Sequence, residues 1–326
     1  MNIFEKMQKL DRRWIYLVLA IAVILPLIFP YNSRTYTSSP TESLYRMIDS
    51  LRPPEGTDPL LHNRAFLMEV AHDAGTNAEL FPMELAVLRH AFQRNIKVFT
   101  IAFYPTSAPI MDLALNTVKK EFAENHGRTI VSGVDYANFG YKLNSLQIPI
   151  ILGMGDNIAA AVEIDSEGRP VANLPIMTNI NTFDEMTLVT QFSGSVAGGN
   201  WVVLARPRFG VNVGVGVTAV TAADLYPSLQ TGQLVGMLGG LKGAAEYERL
   251  VDMFAMQNRE FTKEIVRNEL DDPRFAIRND RIPYVFKQAR IGMNAQSVVH
   301  MLIILFILLG NIGYFVQKYK QNDENR

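Results

Sequence analysis

The chain has 326 residues, 31 Lys and Arg against 32 Asp and Glu, and no cysteine. A formal net charge of −1 without a basic block argues against nucleic-acid binding, which needs a concentrated positive surface. The lack of cysteine excludes disulfides, thiolate catalysis and Cys-type zinc sites.

Residues 1–13 form a polar N-terminal segment carrying Lys6, Lys9, Arg12 and Arg13. Residues 14–31 (WIYLVLAIAVILPLIFPY) hold no Asp, Glu, Lys or Arg. Their length is close to the roughly 20 residues a helix needs to cross a hydrocarbon core. The run is longer than a signal-peptide core and no small-x-small site follows it, so an uncleaved anchor is expected. Trp14, Tyr16 and Tyr31 mark its edges, where amphipathic rings prefer the headgroup level. Residues 32–64 are rich in Ser, Thr and Pro and read as a stalk, with one short helix at Leu44–Leu51.

Residues 65–272 read as an α/β domain. Ala65–Ala71 (AFLMEVA) and Lys97–Tyr104 (KVFTIAFY) have the continuous apolar character of buried strands. Between them, Glu79–Arg94 repeats apolar residues at helical spacing, and Ala108–Asn125 does so after the second strand. Tyr136, Phe139 and Tyr141 crowd Val134–Lys142, where a strand and loop would pack their rings on the core. Ile148–Met154, Leu188–Phe192, Trp201–Ala205 and Val211–Val220 are further predicted strands. Such alternation predicts a mostly parallel sheet with flanking helices. Ala222–Leu270 reads as mostly helix, stopped by Asp271-Asp272-Pro273.

Residues 273–297 form a predicted linker into a second apolar run, 298–316 (VVHMLIILFILLGNIGYFV), followed by a basic tail at 317–326. Flanking Lys and Arg are denser outside the two runs than between them, which places both termini in the cytoplasm. The expected layout is a two-pass protein of a bacterial-type inner membrane, with its main domain extracytoplasmic. It resembles the layout of polysaccharide chain-length regulators, in architecture only.

Four constellations bear on function. The first is a ladder of small residues, Gly232, Gly236, Gly240 and Ala244, with Gly239 and Gly243 beside it. On a helix, four-residue spacing gathers them on one face and permits close contact, either between copies of the chain or against the sheet. A glycine-rich loop is the third reading. In the second apolar run, Gly310, Asn311 and Gly313 mark a similar helix-contact face.

The second constellation gathers residues past predicted strand ends: His72 and Asp73, Thr106 and Ser107, Gly155 and Asp156. Ligands bind there in open parallel sheets, although Asp, Ser, Thr and Gly also serve ordinary turns. No HxxxH or HExxH pair occurs, so no metal or other cofactor is expected. The third is Ser193-Gly194-Ser195 with Gly198-Gly199, which could build an oxyanion hole in a membrane-bound serine peptidase of crotonase or Clp-like architecture. G-x-S-x-G is absent, and His72, His90 and Lys242 are equal candidates for a base. The fourth, the Tyr136–Tyr141 aromatics, reads as core.

Together these features predict a non-catalytic structural or accessory subunit of a membrane assembly, self-associating or joined to other membrane subunits. A serine hydrolase and an extracytoplasmic small-ligand sensor are the alternatives.

Overall fold

A computed structural model describes residues 11–31, 36–195, 198–263 and 287–324. The chain divides into two compact units, one of residues 34–290 and one joining residues 1–33 with 291–326.

The larger unit is built on six parallel strands: β1 (Ala65–Ala71), β2 (Lys97–Ala102), β3 (Tyr136–Tyr141), β4 (Leu188–Ser193), β5 (Asn212–Val217) and β6 (Gly236–Gly239). Their order is β3-β2-β1-β4-β5-β6. The chain winds outward from β1 through β2 and β3, then returns to the other side of β1 with β4. The direction of winding therefore reverses between β1 and β4. All seven β1 residues are buried, as a strand covered on both faces requires.

Helices α1 (Arg12–Ile28), α2 (Ser39–Asp49), α3 (Asn77–Gln93), α4 (Ala108–His126), α5 (Gln147–Met154) and α6 (Ile158–Val162) precede β4. After it come α7 (Arg206–Phe209), α8 (Ala219–Gln230), α9 (Gly240–Leu250) and α10 (Gln288–Glu324). One sheet face carries α2, α3, α4 and α9. The other is closed by α5, α6, a π-helical turn at Trp201–Ala205 and α8, around Phe99, Phe139, Trp201 and Val215.

Several elements differ from the sequence reading. Ile148–Met154, expected as a strand, is helix α5. Pro149 sits in its first turn, where a missing N–H costs no helical bond. Trp201–Ala205, also expected as a strand, is the π-helical turn. The third strand is instead the aromatic segment, with Tyr136 and Phe139 buried and the Phe99 and Phe139 rings 5.4 Å apart. Short apolar runs do not distinguish a buried strand from a buried helix.

The stretch expected as a stalk is largely part of the domain. Leu44, Tyr45 and Ile48 of α2 are fully buried, and Glu246 of α9 caps the start of this helix. Glu246 Oε2 accepts from Ser38 N at 3.0 Å, Ser38 Oγ at 2.6 Å and Thr41 Oγ1 at 2.8 Å. A carboxylate at a helix N-terminus satisfies both the free N–H groups and the dipole.

The glycine ladder is not one helix. Gly232 holds a turn at φ 72°, Gly236 and Gly239 lie on β6, Gly240 turns into α9 at φ 60°, and Gly243 and Ala244 are buried on α9. A Cβ on Gly236 would stand 2.5 Å from the Leu44 backbone nitrogen. Its bareness thus serves close contact of α2 with the sheet inside one chain.

In the smaller unit, α1 spans 17 residues and leaves Trp14, Ile24 and Phe29 exposed. Tyr31 and Asn294 are joined by two hydrogen bonds: the Asn294 amide donates to Tyr31 O, and Tyr31 OH donates to Asn294 O at 3.5 Å. Among the described residues, α10 is the one helix long and apolar enough to cross a membrane, over Gln288–Val316 with mean hydropathy 2.2. The expected N-terminal crossing falls below that length. Met301 (72% exposed), Ile304 and Phe315 project outward. Gly310 has open space about it, Asn311 is exposed and Gly313 is buried. The predicted linker at 273–297 lies outside the described residues up to 286; from Gln288 onward it is helical.

Candidate functional site

β1 and β4 are in register from Phe66 with Leu188 to Ala71 with Ser193. Both strands therefore end at the same level, at the place where the winding reverses. Chains leaving two such strands diverge to opposite faces and leave a crevice between them. A cavity of about 280 Å³ occupies that position, lined by Ala71, His72, Asp73, Thr76, Tyr104, Thr106, Ser107, Gly194 and Ser195.

The β1–α3 loop is held by its own polar groups. Asp73 Oδ1 accepts from Gly75 N at 2.8 Å, and Thr76 Oγ1 donates to Asp73 O at 3.4 Å. A Cβ on Gly194 would meet the Thr76 side chain at 2.9 Å, so glycine is what lets this loop lie against the end of β4. Across the crevice, Ser107 Oγ donates to His72 O at 2.8 Å and ties the β2–α4 loop to the β1 end. Thr76 and Ser107 directly precede α3 and α4, so the N-termini of two long helices open on this space.

The His72 ring is fully committed. Nδ1 is bonded to Asp73 O at 3.1 Å and Nε2 to Glu84 Oε1 on α3. Burial alone would depress His72, but the Glu84 carboxyl outweighs it and raises the imidazole. Glu84 is itself pushed up by complete burial, and among the described residues its Oε2 has no hydrogen-bond partner.

Behind the crevice, on the other sheet face, Glu69 of β1 is fully buried. Its Oε2 accepts from Gln191 Nε2 at 2.9 Å and from Trp201 Nε1, and its Oε1 from Gln147 Nε2 at 3.5 Å. Gln191 Oε1 in turn accepts from Gly198 N at 2.6 Å, and Gln147 Oε1 from Asn200 Nδ2 at 2.9 Å. Through these bonds Glu69 fixes the far side of the loop that bears Gly194 and Ser195. Burial lifts its pKa to about 7, against the lowering effect of Trp201 and Gln191.

A raised carboxyl favours the folded state at low pH and loses that advantage as pH climbs toward 7. From pH 4.5 to 7 this group alone should cost on the order of 3 kcal/mol of stability. Glu69→Gln should remove that slope. Chemical unfolding of the full chain at pH 5 and pH 8 measures it. Equal pH dependence in both proteins would contradict the assignment.

No family model, curated protein or solved structure matches this chain. The site is therefore read from its geometry.

Of the predicted strand-end residues, the fold brings His72, Asp73, Thr106 and Ser107 together. Gly155 and Asp156 are elsewhere, because they follow helix α5 and not a strand. Gly155 lies against Phe209, whose ring would stand 2.1 Å from an added Cβ. Asp156 therefore does not join Asp73 in the crevice. Among the described residues no group of three His, Asp or Glu is placed to hold a metal.

The serine constellation is split. Ser193 is buried, and its Oγ accepts from Ser195 N at 3.3 Å. Ser195 opens on the crevice. Among the described residues neither serine is hydrogen-bonded to a histidine or lysine. His90 is buried between Tyr247 OH (2.7 Å) and Asp49 (3.1 Å), and Lys242 pairs with Glu246. Thr76 and Tyr104 escaped the sequence reading; Tyr104 falls two residues beyond the end of β2, not inside it.

Proposed function

We propose that this protein is a membrane-anchored accessory subunit whose α/β domain binds a small ligand non-covalently in the crevice between β1 and β4. The observation that carries this reading is the lining itself. Side chains from three strand ends converge on one cavity at the reversal of strand order, where open α/β sheets bind their ligands. Ser195 is present there without an activating base, which favours binding over hydrolysis.

Anchoring rests on α10, whose 298–316 segment holds no Asp, Glu, Lys or Arg and is largely exposed. In our reading α1 forms the second crossing, both termini are cytoplasmic and the domain stands outside an inner membrane. Its 17 residues are at the lower limit for spanning. Self-association through Gly310 and Asn311 remains part of the proposal, because open space surrounds that glycine and an amide in lipid gains from a partner.

The full-length protein should stay with membranes through carbonate washing; recovery in the supernatant would defeat the anchoring. Thermal-shift screening of the full chain against neutral, acidic and basic metabolites tests the binding. A ligand at a hundredfold its Kd should stabilise by about 2.7 kcal/mol. The shift should disappear in Thr106→Trp, which fills the crevice from an exposed position.

A further inference from the structure

The charge pattern of the crevice narrows the class of ligand, and this inference rests on the binding reading above. Asp73 is the one carboxylate in the lining, and no lysine or arginine accompanies it. One of its oxygens holds Gly75 N; Oδ2 takes no hydrogen bond among the described residues. The His72 side chain is buried against Glu84, so the charge exposed to the cavity is the Asp73 carboxylate, which repels anions at close range. Asp73 lies in the loop that enters α3, and the N-termini of α3 and α4, helices of 17 and 19 residues, open on the same space. Each carries about half a positive charge, which disfavours a cation in the same space. The carboxylate and the helix termini offset one another, so no net field selects a formally charged ligand of either sign.

The remaining lining is hydroxyl. Tyr104, Thr106 and Ser195 spend no hydroxyl hydrogen bond within the described residues, and Thr76 makes only the 3.4 Å bond. Hydroxyls both donate and accept, so their best partners are groups that do the same. Tyr104 is 45% exposed and presents a flat apolar face beside them. About 280 Å³ accommodates one six-membered ring and is too small for a dinucleotide. The β1–α3 loop, His72-Asp73-Ala74-Gly75-Thr76, has a single glycine and not the G-x-G-x-x-G run that lets a backbone approach a pyrophosphate.

We infer that the crevice takes a neutral polyhydroxylated ring, a sugar or cyclitol. Asp73 accepts two of its hydroxyls, the hydroxyls of Thr76, Thr106 and Ser195 meet others, and Tyr104 covers its C–H face.

The test uses the full chain in lipid nanodiscs, because detergents with sugar headgroups would compete. Calorimetry and ligand-observed NMR would compare glucose, galactose, N-acetylglucosamine and myo-inositol with glucuronate, glucose 6-phosphate and glucosamine. At least one neutral probe should bind more tightly than every charged probe. Asp73→Asn keeps the shape and the loop bond but loses the charge, and should weaken that probe about tenfold or more. Tyr104→Ala should weaken it comparably, and Thr106→Trp should abolish it. Binding of only charged probes, lost in Thr106→Trp, would overturn the ligand class while leaving the crevice as a site. Neutral binding that survives Thr106→Trp would place the sugar elsewhere and overturn the inference. No binding by any probe would overturn the inference, and the site itself would fall only if the wider thermal-shift screen also gave no ligand.

Discussion

Arg290→Ala is expected to destabilise the α/β unit by on the order of 3–5 kcal/mol at pH 8. Arg290 is 6% exposed, and its Nε donates to Glu248 Oε1 at 3.0 Å while Nη2 donates to Asp252. Glu248 and Asp252 are also buried, and Glu248 Oε2 accepts the Ala289 N–H at 2.7 Å. Lys287 and Arg89 face the same cluster, so part of the positive field survives the substitution. Taking away the guanidinium still leaves two carboxylates close together without their direct partner. Burial already lifts Glu248 to about 7 and raises Asp252. Groups raised in this way support the fold at low pH and cease to do so as pH passes their folded values. Without Arg290 both should rise further, so protonation should relieve the variant at pH 5 more than at pH 8. Unfolding midpoints of wild type and variant at the two pH values read this directly. A deficit that is the same at both would show that the lost stability is packing, not charge.

Gly236→Ala should cost about 3 kcal/mol or more, whereas Gly214→Ala should cost less than about 1.5 kcal/mol. Both glycines lie beneath Leu44 of α2. At Gly214 an added Cβ meets the Leu44 Cδ1 atom at 2.5 Å, and a side-chain tip can rotate away. At Gly236 it meets the Leu44 backbone nitrogen at 2.5 Å and Cα at 2.8 Å, and neither can move without the helix. Lifting α2 exposes Leu44, Tyr45 and Ile48, each worth roughly 1.5–3 kcal/mol of burial. Urea unfolding of the two variants, with limited proteolysis around residues 36–50, distinguishes helix detachment from a uniform loss. Equal costs at the two glycines would mean that α2 is not seated as described.

The parallel sheet was legible where strands are continuous and apolar. Ala65–Ala71 matches β1 to the residue, a short apolar run of the kind a strand covered on both sides requires. Glu69 within it was not singled out, although a lone acid in a buried strand needs partners, and Trp201, Gln191 and Gln147 supply them. The same reasoning failed for Ile148–Met154, whose apolar run fits a buried helix equally well. That one exchange removed Gly155 and Asp156 from the set of strand-end residues. The crevice was half visible: His72, Asp73, Thr106 and Ser107 were found by following strand ends. Their meeting with Ser195 and Thr76 depends on β4 pairing with β1, and no residue pattern announces strand order. The glycines were noticed for the right reason, close approach, but assigned to the wrong element, because four-residue spacing in GQLVGMLGG also accommodates a turn, a strand and a helix start.

The cap that Glu246 places on α2 joins residues 205 positions apart in the chain. On a ribosome adding about 5–20 residues per second, Thr41 emerges roughly 10–40 s before its acceptor is made. For that interval the greasy side of α2 has neither β6 nor α9 to cover it. The nascent chain must keep Leu44, Tyr45 and Ile48 sheltered until translation reaches the last strand. Premature termination anywhere before residue 236 would therefore release a product whose first domain helix has no seat, a ready substrate for quality-control proteases.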